Sequence, residues 1–445
     1  MRRRRQPYSD SSPKLQDRRG FLISPARPVL GIEVEFQVFC DGNLCTPEAL
    51  FGTAGTLFPI QQVPWTGKPV GLPHGGVVYF DRGVIEVVTP PIELSKTAAR
   101  DAVQCLWQQI NWVRRHLDNW QKNANRIVQL RGFSAHYNVS FDTRLRNECR
   151  SLERLSYLLV HILPFAAIPI ATNDRSTGVG VRPRRNRIEI TIDFTPDSER
   201  TIAVAGVIVG VARAVMNWKR YSVSQAVQNR LPLIRPFRPM KHTSRSGWLA
   251  HSSSYDKNPF NATTFGRSWK TQNAKRRSGP SVSRSIVKIF WPSISLFLDR
   301  RARWVLRKIL NMSAAFVRGY RNCDNYYDVR ATDASQAAKW SDGTYASLLA
   351  KFYQGRKIRV RKAVLRPVRV LGWFVVEFRD ICTAKRHVMT LDEILSNTKI
   401  TRSRFPHTGL LKQPSKVPSN CDESNKRGGA LQKRVKTPKL RQRSR

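Results

Sequence analysis

Acidic residues and cysteine are scarce in this sequence. Its 445 residues contain 31 Asp and Glu against 77 Lys and Arg, a formal net charge of +46. The seven cysteines are an odd number at irregular spacings, which excludes a disulfide framework and indicates reduced thiols in the cytoplasm. Cys40 and Cys45 lack a second pair at the spacing of a zinc site.

Long apolar runs are also missing, so we expect no membrane partner. The most apolar stretch, residues 155–171, contains His161, Pro164 and Pro169, and it is shorter than the roughly 20 apolar residues that a spanning helix needs. We interpret it as a buried core segment. The hydrophobic content of 41% is enough for a sizeable core, which excludes a wholly disordered chain.

The positive charge is concentrated in the second half. Residues 1–220 hold 30 Lys and Arg against 19 Asp and Glu (+11), which leaves 47 against 12 (+35) for residues 221–445. Composition therefore predicts five segments: a flexible basic arm over 1–27, a folded core over 28–220, a Ser/Arg-rich linker or long loop over 221–285, a basic aromatic-containing region over 286–400 and a disordered basic tail over 401–445.

Four predicted strands of the core each place polar side chains on one face. Alternate residues of a strand point to opposite faces, and we expect strands near 31–36, 77–89, 133–141 and 187–193, with helices at 95–120, 152–162 and 198–218. The alternation predicts an α+β fold with an antiparallel sheet and helices on one side. The polar faces carry Glu33, Glu35, Asp81, Glu86, His136 and Glu189.

These acidic faces have two interpretations. An antiparallel sheet with one face in water accounts for each strand singly. If the strands are neighbours, however, their carboxylates converge and need a cation, or some must stay protonated. Carboxylates with one histidine and no thiolates suit Mg²⁺ or Mn²⁺.

A basic loop, residues 176–187, leads into the strand of Glu189. Gly178 and Gly180 allow a ligand to approach the backbone, and the arginines of the loop can bind phosphate in a bidentate manner. The alternative is a flexible surface loop in an arginine-rich protein. A phosphate-binding loop beside a carboxylate-lined sheet would suit nucleoside triphosphate and metal chemistry.

The order of these motifs resembles the glutamate–cysteine ligase superfamily, which includes carboxylate–amine ligases and amidoligases with a glutamine-synthetase-like fold. The resemblance covers about residues 29–220 and rests on short motifs: GIEVE at 31–35, Asp81, VIEVVTP at 84–90, SAHYNV at 134–139 and RIEITID at 187–193. One departure is Thr191, where the family pattern suggests a further arginine.

The resemblance implies a curved, funnel-like sheet and an ATP- and Mg-dependent ligase that joins a glutamate-like carboxylate to an amine through an acyl-phosphate. Small-molecule acids and amines would be its substrates. By this resemblance the metal ligands would be Glu33, Glu35, Asp81, Glu86, His136 and Glu189. The catalytic residues would be Arg187 and Glu189, and the nucleotide would contact Asn138, Arg182, Arg185 and Arg187.

The basic second half supports a different hypothesis. Lys and Arg interleaved with aromatics, Trp291 and Trp304 among them, suit nucleic acid or another polyanion. The protein would then be a nucleic-acid-binding protein built on an inactive ligase-like scaffold. A divergent ligase, or one that binds nucleotide without turnover, is a third interpretation.

Overall fold

A computed structural model describes residues 25–142, 147–172, 176, 178–242, 246–311 and 340–397. Within these residues the chain has a mixed α/β fold whose main antiparallel sheet is a half-barrel. Its strands run in the order β10-β11-β8-β9-β7-β1-β5-β4-β3, and β2 and β6 also pair with β1. They are β1 (Val29–Cys40), β2 (Asn43–Cys45), β3 (Val70–Gly71), β4 (Val77–Asp81), β5 (Val84–Val88), β6 (Ile92–Glu93), β7 (Val128–Ser140), β8 (Val179–Pro183), β9 (Arg187–Asp193), β10 (Met240–Lys241) and β11 (Trp248–Ala250).

Helices cover the apolar face of this sheet. Ile32, Val34 and Phe36 of β1 are fully buried in one core with the helices. The antiparallel pairing and the helical layer confirm the α+β prediction. The helices of the described residues are α1 (Pro47–Phe51), α2 (Ala54–Leu57), α3 (Ala98–Ala124), α4 (Leu152–Ala171), α5 (Ser198–Met216), α6 (Val223–Gln228), α7 (Ala262–Phe265), α8 (Gly279–Ile294), α9 (Arg300–Asn311), α10 (Tyr345–Tyr353) and α11 (Leu391–Asn397).

Helix α4 runs past the point where the sequence predicts its end. Pro164 and Pro169 both lie inside it. Pro169 has no N–H, so the carbonyl of Phe165 has no helical donor, but the hydroxyl of Ser283 in α8 donates to that carbonyl. Helix α4 is long and apolar enough to cross a membrane, yet 83% of its most apolar window is buried inside the protein.

The segment predicted as a linker, residues 221–285, contains regular structure instead. Strand β11 pairs with β8 and extends the main sheet, and β12 (Ser268–Lys270) forms a hairpin with β13 (Arg276–Ser278). Although the segment is polar in composition, three of its aromatic side chains are almost fully buried: Phe260, Phe265 and Trp269. The rings of the last two pack against Phe165 of α4 in tilted and edge-on geometry, and aromatic burial of this kind fixes a segment that is otherwise loop-like.

A second, smaller sheet lies within the predicted basic region. It comprises β14 (Ile358–Val360), β15 (Ala363–Gly372), β16 (Val375–Asp380) and β17 (Arg386–Thr390), all antiparallel. Val77 and Val88 of the main sheet are buried in its core, and Tyr79 packs against that core. By strand alternation these three residues share a face with Glu86. The core of the smaller sheet therefore closes one end of the polar face.

The predicted arm and tail lie mainly beyond these ranges. Residues 1–24 and 401–445 are outside the described residues. The last residues of the predicted arm are held in place, since Arg27 donates to the carbonyl of Gly343 at 3.0 Å and forms an ion pair with Glu93.

The contact between α5 and the end of α8 depends on a glycine. A Cβ on Gly210 would lie 2.5 Å from Cα of Ile294 and 2.7 Å from its backbone nitrogen. We expect Gly210→Ala to destabilise the protein by about 2 kcal/mol, because overpacking against backbone outweighs the better helix propensity of alanine. Urea denaturation followed by circular dichroism measures the change.

The matched control is Gly31→Ala on β1, where a Cβ would lie 3.7 Å from its nearest neighbour, Cβ of Asn138. We expect this variant to unfold close to the wild-type midpoint. Equal midpoints for the two variants would contradict the close packing of α8 on α5.

Candidate active site

The register of the main sheet brings the predicted polar faces together. Strand β7 lies between β1 and β9, and β5 pairs with the other edge of β1. Directly opposed residues therefore form three rows across β1, β7 and β9: Glu35–Ser134–Asp193, Glu33–His136–Thr191 and Gly31–Asn138–Glu189. Opposed side chains on one face lie about 5 Å apart at Cβ, so these rows form a continuous polar surface.

Three of the six predicted metal ligands meet at one point. Ligand atoms of Glu33, Glu86 and His136 all lie within 4.8 Å of one another. Nδ1 of His136 is 3.3 Å from a carboxylate oxygen of Glu33, and Glu86 is only 3% exposed. Two carboxylates and an imidazole at this spacing fit a divalent cation, and the oxygen-rich set suits Mg²⁺ or Mn²⁺.

The two carboxyl groups of this cluster have opposite protonation tendencies. Burial opposes ionisation of Glu33, but the hydrogen bond to His136 and the charges of His136 and Arg187 outweigh it and lower the pKa of Glu33 from 4.5 to about 2. Burial and the negative charge of Glu33 raise the pKa of Glu86 to about 9. At neutral pH the pair therefore holds one proton. A bound cation would take the place of this proton in neutralising the two carboxyl groups.

Tyr79 belongs to the same cluster, although sequence reasoning missed it. It lies opposite Glu86 on β4, and the two side chains share a hydrogen bond. Burial and the charges of Glu33 and Glu86 raise the pKa of Tyr79 well above its usual range, so it stays a neutral donor. The available signal was strand alternation along β4, which gives Tyr79 the same face of the sheet as Glu86.

Glu35 lies directly opposite Glu86 in the register of β1 and β5, and it also approaches His136. Ser134 donates a 2.6 Å hydrogen bond to Glu35, and a carboxylate oxygen of Glu35 is 3.7 Å from Nε2 of His136. The imidazole thus lies between two glutamates, and Glu35 is at the edge of the cation cluster.

Two other predicted ligands, Glu189 and Asp81, lie apart from this cation cluster. The Glu189 side chain is 1% exposed, and the guanidinium groups of Arg182 and Arg184, the latter at 2.5 Å, form ion pairs with it. Asp81 is the last residue of β4, opposite Val84 rather than beside Glu86. Neither carboxylate groups with Glu33, Glu86 and His136 in the described residues.

The predicted phosphate-binding arginines divide into two environments. Arg182 is buried on β8, and Arg187 donates a 2.7 Å hydrogen bond to the side-chain oxygen of Asn138. Arg185 is exposed in the turn between β8 and β9. Arg184, which sequence reasoning did not single out, contributes more to this end of the face than Arg185 because it is paired with Glu189.

Phe133 interrupts the alternation of the strand expected near residues 133–141. Strict alternation places it on the apolar face with Ala135, but the register shifts opposite Glu35 and Phe36, and Phe133 is 46% exposed. Gly132 occupies the core-facing position, where a Cβ would lie 2.0 Å from the ring of Phe194. Glycine inside a strand is a signal for such a bulge.

Comparisons with known proteins give little beyond this geometry. No protein-family model matches the sequence, and neither does any curated protein. Among solved structures, a chain in the crystal structure of the complex between Prokaryotic Ubiquitin-like Protein Pup and its Ligase PafA matches with a TM-score of 0.49 and 9% identity, over 83% of this chain and 92% of that chain. At this score and identity the likeness does not determine function, which must come from the site itself.

The proton held by Glu86 gives a prediction for stability. Because the pKa of Glu86 is higher in the folded protein than its ordinary 4.5, folding stability falls as the pH rises from about 4.5 towards 9. Glutamine imitates the protonated acid and cannot ionise. In the presence of a chelator, Glu86→Gln should melt a few degrees higher than wild type at pH 8 and about equally at pH 5.

Glu153, exposed on α4, provides the control Glu153→Gln, which should melt like the wild type at both pH values. Differential scanning fluorimetry measures all three proteins. A Glu86→Gln variant that melts lower than wild type at pH 8 would contradict the assignment of a buried, protonated Glu86.

Proposed function

We propose that this protein is an ATP- and Mg²⁺-dependent carboxylate–amine ligase. The observation that carries the proposal is the juxtaposition, on one face of one sheet, of a carboxylate–histidine cluster (Glu33, Glu86 and His136) with an arginine cluster (Arg182, Arg184 and Arg187). A divalent cation and guanidinium groups side by side suit a nucleoside triphosphate. A solvated sheet face would not bury Glu86, His136 and Arg182 as this face does.

Glu33, Glu86 and His136 would hold the cation, with Glu35 at its edge. When bound, the cation neutralises charge that develops on the phosphates during transfer. The protein prepares this position by placing Glu33 close to the buried Glu86, a pair whose repulsion is relieved by a proton or by a metal ion. The hydrogen bond from Tyr79 orients Glu86 within the pair.

The arginine end of the face would bind the phosphates. Glu189 positions Arg182 and Arg184 through ion pairs, and Asn138 orients Arg187. Since Glu189 is almost fully buried and neutralised by two guanidinium groups, we assign it a positioning role here. Arg187 is the member of this set whose charge reaches the cation cluster, because it contributes to the lowered pKa of Glu33.

The chemistry that fits these two subsites is activation of a carboxylic acid. A carboxylate is a poor electrophile, so an oxygen of the acid attacks the terminal phosphorus of ATP and ADP leaves, giving an acyl-phosphate. An amine then attacks the acyl carbon, phosphate departs and the amine loses a proton. A small glutamate-like acid and an amine in the cytoplasm are the substrates that we propose.

The central test is metal-dependent nucleotide binding by the full-length protein, measured by isothermal titration calorimetry. Glu33→Gln and Arg187→Ala should each weaken Mg²⁺-dependent ATP binding at least about tenfold, because each removes a charge-assisted contact worth roughly 1.5–3 kcal/mol. The Glu33 variant should also lose the dependence on Mg²⁺, whereas the Arg187 variant should keep it.

Matched controls are Glu153→Gln and Arg154→Ala, which alter exposed residues of α4 and should bind ATP like the wild type. Turnover is read as phosphate release with a panel of acids and hydroxylamine as the trapping amine, which converts an acyl-phosphate to a hydroxamate. ATP binding that is equal in all five proteins would refute the proposed site. Binding without hydroxamate would indicate a protein that holds nucleotide but does not activate acids.

A further inference from the structure

Helices α8 and α9 carry an excess of positive charge on the side of the molecule away from the polar face. Residues 279–311 contain seven Lys and Arg and one acidic residue, Asp299. Asp299 pairs with Arg100, and Arg301 pairs with Glu199. Among the described residues, no carboxylate lies within ion-pair distance of Lys288, Arg300, Arg307 or Lys308, all of which are exposed.

An exposed tryptophan lies among these cations. Trp304 of α9 is 58% exposed, and the ammonium group of Lys308 lies 4.9 Å from its ring centroid. The guanidinium of Arg307, on the same helix, covers Trp291 of α8, with its central carbon 4.7 Å from the ring centroid. Basic groups therefore border both indole rings.

The orientation of Trp304 is fixed by the buried side of its helix. Ala302, Val305, Leu306, Ile309 and Leu310 of α9 are all buried in the main core. Rotating the helix to bury Trp304 would expose these apolar side chains to water, which the hydrophobic effect opposes. The indole is consequently held in water next to cations.

We propose that α8 and α9 form a binding surface for single-stranded nucleic acid. Bases stack on Trp304, and Lys288, Arg300, Arg307 and Lys308 contact the phosphates. From Arg300 to Lys308 the helix rises about 12 Å, which accommodates a few phosphates of one strand. Stacking platforms between cations are the usual means of holding unpaired strands, whereas an acidic peptide would use the cations and leave the indole face empty.

This surface is independent of the proposed ligase site. Helices α8 and α9 pack on α4 and α5, whose core joins the apolar face of the main sheet, whereas Glu33, Glu86 and His136 lie on the opposite face by strand alternation. The two sites can therefore be altered separately, and failure of one proposal does not affect the other.

The test is fluorescence anisotropy with full-length protein and a fluorescein-labelled 12-nucleotide oligo(dT), with oligo(U) as a second probe. Trp304→Ala should weaken binding about tenfold, within the range measured for loss of one stacked base, and Trp304→Phe should restore most of the loss. The double variant R307A/K308A should reduce the slope of log K against log salt by about 1.4, since single strands give about 0.7 for each phosphate contact.

The matched control is R359A/K362A, which removes the same charge from exposed positions of the smaller sheet and should leave the affinity close to wild type. ATP binding by Trp304→Ala should be unchanged. Equal effects of the two double variants, or no effect of Trp304→Ala, would overturn the proposal in favour of unspecific attraction. Competition by poly-glutamate as effective as that of the oligonucleotide would overturn it as well.

Discussion

The contact between Glu33 and Glu86 is the constraint to which the site is adapted. Two carboxyl groups on neighbouring strands are tolerated out of water only if a proton or a cation lies between them. His136, Tyr79 and Arg187 all act on this pair, by hydrogen bonding or by charge. The same strand alternation that places these groups together sends Ile32 and Val34 into the core, so one sequence pattern produces both the site and the stability that supports it.

The second half of the chain contributes to this fold in ways that its composition conceals. Helix α8 packs on α5 and satisfies the carbonyl left by Pro169, while the smaller sheet covers one end of the polar face. The basic surface of α9 is therefore the outer side of a helix that packs on the main core. Nucleotide chemistry and attraction for polyanions, which the sequence offers as competing interpretations, are therefore proposed here for opposite sides of one molecule.

Strand alternation predicts much of the main sheet, including the faces of Glu33, His136 and Glu189, because the two-residue period is a local property. It does not predict which carboxylates meet. Glu86 lies opposite Glu35 and meets Glu33 diagonally across β5 and β1, which depends on contacts between residues distant in the sequence. Glu189 instead forms ion pairs with Arg182 of β8 and with Arg184, which follows β8, and these pairs depend on the register of the β8–β9 hairpin. Phe133 escaped prediction because a single bulge reverses the alternation. Helix α4 continues past Pro169 with the hydroxyl of Ser283, distant in the sequence, as the donor to the carbonyl of Phe165.

The most direct test of the central claim is a titration of the full-length protein with Mn²⁺ at pH 7.5, by calorimetry in buffers of different ionisation enthalpy. Since Glu86 holds a proton at this pH, a cation bound between Glu33 and Glu86 must displace it. We expect one tight site with release of about one proton, and a Glu86→Gln variant that releases none. Binding of Mn²⁺ without proton release, or no binding by the folded protein, would contradict it.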